Sequence, residues 1–406
     1  MERNDNVKKL ADQKEEDRKI RKLNIKIQCF IEYKDSIWFV PEEASILCKY
    51  DLNQERIVHI WLIPGDAMRA LAYNKILKYQ NKLVFIPFGA EEVAIFDIEE
   101  EAFTKIKLPE EAYQNFHKFD DGFIKDNYIY LIPGTYPYVL RINMNNYKLE
   151  QSKNLYKMCQ RYLNKLKGTI DLSAGSYDGV RTLFIGYGVY YDREIYVGVL
   201  KINIETFHIY IRELRHVESW IKGMLWHNER LFLYSAEGKV SVFDEKLETI
   251  EVITNSLLKD YVNPEDMGVA YICADHEKLI IIRRRGLETI IMNLNDLNSI
   301  SKRKFIDEPI KYAGCIKSGV LLQSLEEGYF WILNNKKCEI KYVNIERNIL
   351  LECIQNLISN HKDILEENIF FRLSEWIELV YDKNRDSVKI ENNGSKIYFT
   401  LLSDIH

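Results

Sequence analysis

The side chains best suited to chemistry fall in a few short stretches. Tyr187, Tyr190 and Tyr191 lead directly into Asp192 and Arg193, and Tyr136 and Tyr138 form a second aromatic pair some fifty residues earlier. Tyrosine supplies a large rigid face with a hydrogen-bonding tip, so these residues could hold a sugar ring, a peptide or the centre of a protein interface. The third stretch is Arg283, Arg284 and Arg285. Three adjacent cations in a protein of net charge −5 could grip carboxylates or phosphates, or meet the pairs Glu42 with Glu43, Glu91 with Glu92 and Glu326 with Glu327. Each cluster has a structural counter-reading. The chain carries 26 Tyr in 406 residues, so aromatic clusters arise from composition, and an arginine-rich hairpin arm discourages edge-to-edge pairing.

Catalytic and metal-binding patterns are missing. The eight histidines, at positions 59, 117, 208, 216, 227, 276, 361 and 406, are not spaced as ligand pairs on one strand or helix. His276 and Glu277 begin a zincin-like pair, but Ile280 stands where the second histidine belongs. Gly186-Tyr187-Gly188 lacks the third glycine of a dinucleotide loop, because Tyr191 occupies that position. The chain holds neither a nucleophile elbow nor a phosphate loop. No cofactor or metal is expected.

What positions these residues is a repeat. SIWFVP, KLVFIP and YIYLIP place Ile37, Leu83 and Ile129 at steps of 46 residues (83 − 37 and 129 − 83), and Asp51, Asp97 and Asn143 follow the same step. Looser copies continue through Leu183, Leu231, Leu279 and Val320, with Asn203, Asp244, Asn293 and Asn334 as their polar partners. The offset from apolar anchor to polar partner is 14 in five copies, 13 in the fifth and 20 in the fourth. Four short strands per repeat of this length are the unit of a β-propeller. The expected fold is therefore all-β, with seven four-stranded blades over 25–346. In the first copy Ile37–Val40 reads as the second strand, Ile46–Tyr50 as the third and Ile57–Ile63 as the fourth. The repeated Asp or Asn then sits in the turn after the third strand, where its carboxylate or amide bonds backbone N–H groups two residues on.

The pattern resembles divergent bacterial β-propellers of the WD40-like and kelch-like kind. Neither the Trp-Asp dipeptide nor the paired glycines of those families occurs, so the resemblance implies fold and carries no functional residue. In such a ring the loops between strands two and three gather with the inter-blade links on one face around the channel. Those loops are 41–45, 87–92, 133–138, 186–194, 235–239, 283–288 and 324–329, and the three candidate stretches all fall on them. The fourth loop holds the six-residue insertion.

The ends differ from the middle. Residues 1–24 are charged throughout, with few apolar anchors, and read as a frayed helix or disordered arm. Residues 347–406 read as two amphipathic helices followed by a hairpin turning at Asn393-Gly394. Whether that hairpin or the early strand IKIQCFIEY closes the ring stays open, as does a count of six or eight blades. Seven cysteines without a CxxC pair, most in apolar strands, suit a reducing cytoplasmic setting. The mixed charge disfavours nucleic acid, and no apolar run is long enough for membrane insertion.

Two functions follow. The first is a non-enzymatic scaffold that binds another protein through the loop face. The second is a propeller hydrolase or lyase that takes a glycan or small ligand at the channel mouth, and it requires two carboxylates facing each other there.

Overall fold

The computed structural model describes residues 27–343 apart from 43, 66–69, 163–168, 192–193, 218, 260–268, 276, 284–287, 305–309, 317–318, 325–329 and 335–339. The segments expected to form an N-terminal arm and C-terminal helices and a hairpin lie outside these residues, as do His276, Glu326 and Glu327.

The described residues form seven four-stranded antiparallel sheets. Each sheet is drawn from consecutive sequence, strand one innermost and strand four outermost. In the first, Ile27–Glu32 pairs with Ser36–Pro41, which pairs with Ile46–Asp51, which pairs with Arg56–Leu62. These are the strands two to four that the sequence pattern assigns. The strand IQCFIE is thus the inner strand of the first sheet and does not complete the last one. Inner strands of successive sheets are neighbours all the way round, and the first, Ile27–Glu32, lies beside the last, Ile310–Ile316. The ring closes where the Phe30 ring covers Gly314, whose Cβ, if present, would stand 2.7 Å from Phe30 Cζ.

Anchor and partner of the repeat have separate physical jobs. Ile37, Leu83, Ile129, Leu183, Leu231, Leu279 and Val320 are all buried between neighbouring sheets, where truncation to Ala costs about 2–5 kcal/mol. The polar residues close the turn between strands three and four. Asp51 Oδ1 accepts from the N–H groups of Asn53 and Gln54, and Asp97 Oδ1 from those of Glu99 and Glu100. Asn203 makes the same two bonds, Asp244 accepts from Lys246 and Glu248, and Asn143 and Asn293 each accept from the N–H two residues on. The turn then needs a left-handed residue, supplied by Glu55, Glu101, Tyr147, Phe207 and Leu247, all with φ between 51° and 62°.

The fourth blade departs from the expected form. The stretch 186–194 is not a loop. Its second and third strands, Thr182–Tyr191 and Glu194–Asn203, are ten residues each and stay in register from Thr182 opposite Asn203 to Tyr191 opposite Glu194. The six-residue insertion goes into these two strands, each of which is four residues longer than Lys82–Pro87 and Glu92–Asp97 of blade two. The sequence pattern places Gly186 and Gly188 at the start of that loop, yet both are mid-strand glycines. A Cβ on Gly188 would stand 2.0 Å from Cζ3 of Trp220, and one on Gly186 would meet the Ser173 hydroxyl at 2.8 Å.

Candidate functional site

Every inner strand carries a β-bulge, between Ile27 and Cys29 in the first blade and at the matching place in the ring in the other six. The extra residues are Gln28, Asn74, Asp120, Ala174, Lys222, Ala270 and Lys311. A bulge bends the chain, and seven in register set a ring of bulge positions at one end of the channel. That end is also where strands two and three join and the inter-blade links run. It is called the upper face below.

In blades one to three and five to seven the bulge is the second residue of the strand. In blade four it is the sixth, because Thr169–Tyr177 begins four residues earlier. The segments beyond Gly186 and Val199 therefore stand above the ring as a three-stranded extension. Both of its sides are braced. Ile170, Leu172, Tyr187 and Val189 share one apolar cluster with Leu155 and Cys159 of the helix Leu155–Tyr162, and Trp220 lies on Gly188 from the other side.

The predicted residues separate on this scaffold. Tyr187 is buried, its ring and hydroxyl laid over Gly198, where a Cβ would be 2.4 Å away. Tyr136 is also buried. It meets Phe119 edge-on at 5.8 Å and donates to Gln151 at 3.2 Å, and burial pushes its hydroxyl up to about 12. Tyr138 is half-buried beside it and accepts from the Asn154 amide. These two lie in the layer between blades two and three, whereas Tyr187 lies between blades three and four. Tyr190 and Tyr191 are 52% and 37% exposed. Consecutive strand residues face opposite ways, so Tyr191 continues the Tyr187 side and Tyr190 the Gly188 and Trp220 side. Asp192 and Arg193 lie outside the described residues, as do Arg284 and Arg285. Arg283 closes the second strand of blade six, 3.9 Å from the Glu288 carboxylate. It hydrogen-bonds the Tyr234 hydroxyl of blade five, opposing the rise that burial imposes on that group.

A second group on the upper face escaped the sequence reading. The Phe88 carbonyl accepts from Lys118 N–H, the Lys118 carbonyl from Gly134 N–H, and the His117 carbonyl from both the N–H and the hydroxyl of Thr135. This stitching draws the link 108–118 onto the tops of blades two and three. Gly134 is required there, since a Cβ would lie 2.7 Å from the His117 carbonyl oxygen. Lys118 is fully buried and donates to the Gly89 carbonyl at 2.9 Å. His117 stacks on Phe88 with ring centroids 4.3 Å apart, and Phe116, 56% exposed, meets the same ring edge-on. Nε2 of His117 is paired with the bulged Asp120.

Asn74 Nδ2 donates to the Asp120 carbonyl, and Lys75 pairs with Asp121 on the next inner strand. Tyr156, from the helix, donates to the Thr135 carbonyl at 3.3 Å. Its hydroxyl is pushed up to about 12 by burial and then by the Asp171 and Asp120 carboxylates. An imidazole oriented by a carboxylate can accept or relay a proton or hold a hydrogen-bonding ligand. Among the described residues, no group of three or more His, Cys, Asp or Glu could hold a metal ion.

No protein-family model and no curated protein matches the chain. Solved structures do. Virginiamycin B lyase from Staphylococcus aureus superposes with a TM-score of 0.54 at 12% identity, covering 75% of this chain and 94% of that one. The Cps50 (Swd1) β-propeller domain of Myceliophteria thermophila gives 0.53 at 9%, over 75% and 95%. A streptogramin B lyase gives 0.52 at 12%, over 78% and 92%. The chain is a β-propeller. At these identities the likeness extends to the fold alone, and the propeller's function has to be argued from its own upper face. Among the described residues no helix is long and apolar enough to cross a membrane.

Proposed function

We propose that this propeller is a non-enzymatic scaffold of the cytoplasm that docks another protein on its upper face. The observation that carries the reading is the raised strand extension of blade four. It is braced on both sides and brings two partly exposed tyrosines, Tyr190 and Tyr191, above the ring. Rigid aromatics on a fixed support are what interface hot spots are made of, because little freedom is lost when they are covered. Phe116 adds a third exposed ring on the same face. Asp192, Arg193, Arg284 and Arg285, adjacent in sequence to described parts of this face, belong to the proposed surface as its polar contacts. Tyr136, Tyr138, Tyr187 and Arg283 support it from within.

The carboxylates at the mouth favour docking over two-carboxylate hydrolysis. Asp120 is tied to His117 and Asp121 to Lys75, so neither faces the other as a free acid. A second reading has its own observation. His117, oriented by Asp120 and stacked on Phe88, suits a glycan or small ligand at the channel mouth.

The test is purification of the tagged chain from its own host. A stoichiometric protein partner that stays bound through size exclusion, and is lost in Tyr190→Ser/Tyr191→Ser with an unchanged melting curve, supports docking. A chain that elutes alone overturns it and directs the work to the small-ligand reading.

A further inference from the structure

The raised part of blade four ends in an open strand edge. In an antiparallel ladder a residue turns its N–H and C=O to one neighbouring strand, and the next residue turns them to the other. Leu214 N–H donates to the Val197 carbonyl, so Val197 turns away from Gly188, which stands opposite it. Gly188 therefore bonds on its other side, to Asp171, and Gly186 and Tyr190 bond in the same phase to Ser173 and Thr169. This phase leaves the N–H and C=O of Ile170 and Leu172 pointing out of the sheet, of which Thr169–Tyr177 is the edge strand on the channel side. None of these four groups has a partner among the described residues. The other six inner strands have a single residue before the bulge, so no such edge rises from them. The two sides of the edge differ. Ile170 and Leu172 are buried with Leu155 and Cys159, and Tyr156 packs partly buried on the same cluster, whereas Thr169 and Asp171 are exposed.

We propose that this edge takes an extended segment of the docking protein as a fourth strand, with apolar residues opposite Ile170 and Leu172 and polar residues between them. The proposal rests on the docking reading for the source of that segment. Two donor and acceptor pairs about 6.8 Å apart, the repeat of two strand residues, match an extended peptide backbone. A helix keeps its backbone groups to itself, and a small ligand spans one pair. Side chains opposite Ile170 and Leu172 lie on the same face as those two residues, so apolar ones extend the layer of Leu155 and Tyr156. The helix on one side and Trp220 on the other hold the edge extended before anything binds, and little freedom is lost on pairing. Tyr190 stands opposite Thr169 on the adjoining strand, which joins the edge to the exposed aromatics of the docking surface.

The test uses the full chain labelled with ¹⁵N-isoleucine and ¹⁵N-leucine, with Ile170→Val and Leu172→Met assigning the two amide signals. The probe is the blocked peptide acetyl-Thr-Val-Thr-Val-Thr amide, and the control is the same peptide N-methylated at both valines, which removes the donors that face the edge. In the free chain both amides should exchange unprotected with solvent. The peptide should shift both signals saturably and slow their exchange, and N-methylation should weaken its binding by about tenfold or more. Silence toward the peptide, or an equal response to the N-methylated control, overturns the proposal. So does protection in the free chain, which assigns the edge to this chain's own residues if the protein elutes as a monomer and to a second copy if it elutes as a dimer. The two readings fail separately. A stoichiometric partner held equally well when leucic acid replaces Leu172, a change that removes only that N–H, keeps docking and removes strand addition. Saturable peptide binding by a chain that purifies alone does the reverse.

Discussion

Trp220 rests on Gly188 so closely that a Cβ at position 188 would stand 2.0 Å from Cζ3 and 2.4 Å from Cε3 of the indole. The raised strands of blade four and the link entering blade five therefore share one contact that only glycine permits. Gly188→Ala is expected to push Trp220 off the strand and destabilise the protein by about 1–3 kcal/mol, the usual cost of overpacking. Urea unfolding gives the stability, and a change in tryptophan emission in the native state would report the displaced ring. An unchanged midpoint and spectrum would show that the contact is looser than described.

Ring closure rests on packing. Phe30 of the first inner strand covers Gly314 of the last, so Gly314→Val should separate blades seven and one before any other pair. Hydrogen exchange would then rise first in Ile310–Ile316 and Ile27–Glu32. A uniform rise over all blades would contradict this.

The turn carboxylates predict an acid limb. Lys82, hydrogen-bonded at 2.7 Å, and the N–H groups of Glu99 and Glu100 hold Asp97 below its ordinary value of 3.8. A group depressed on folding contributes stability that is present above its unfolded value and is lost as pH falls through the lower folded one. Lys82, raised above 10.5 by the same bond, contributes below its unfolded value and loses that contribution as pH rises through its folded one. Asp97→Asn should thus flatten the fall in melting temperature from about pH 5 to about pH 2. A parallel fall in variant and parent would exclude Asp97 as a source of that slope.

Asp244 tests the repeat itself. Its Oδ1 accepts from the N–H groups of Lys246 and Glu248, and Asp244→Ala should cost about 1–2 kcal/mol, with Asp244→Asn recovering most of it. Loss of stability in both would point to charge rather than turn geometry.

Much of this architecture was legible because the repeat has physical content at each end. The anchors are the residues that must be buried, and the Asp or Asn partners are those that must bind turn N–H groups. Blade four was misread for the same reason. Gly186 and Gly188 fall where the pattern places a loop, but their small size serves Ser173 and Trp220, which are distant in sequence or on another strand. The His117 and Asp120 pair left no motif, because a bulge and a stitched link bring the two together. One signal was available. Gln28, Asn74 and Asp120 stand at steps of 46 (74 − 28 and 120 − 74), the same step as the anchors. A polar residue recurring in phase with a buried one, on the strand that lines the channel, marks where the backbone will bulge.

Seven similar blades around an axis offer an approaching molecule seven nearly equivalent ways to sit. The strand extension of blade four removes that degeneracy. With two strands of ten residues where Lys82–Pro87 and its counterparts in blades one, three and five have six, it acts as a key that admits one rotational setting. A pseudosymmetric platform thereby becomes a surface with a defined azimuth, at the level of the backbone and before any side chain is read.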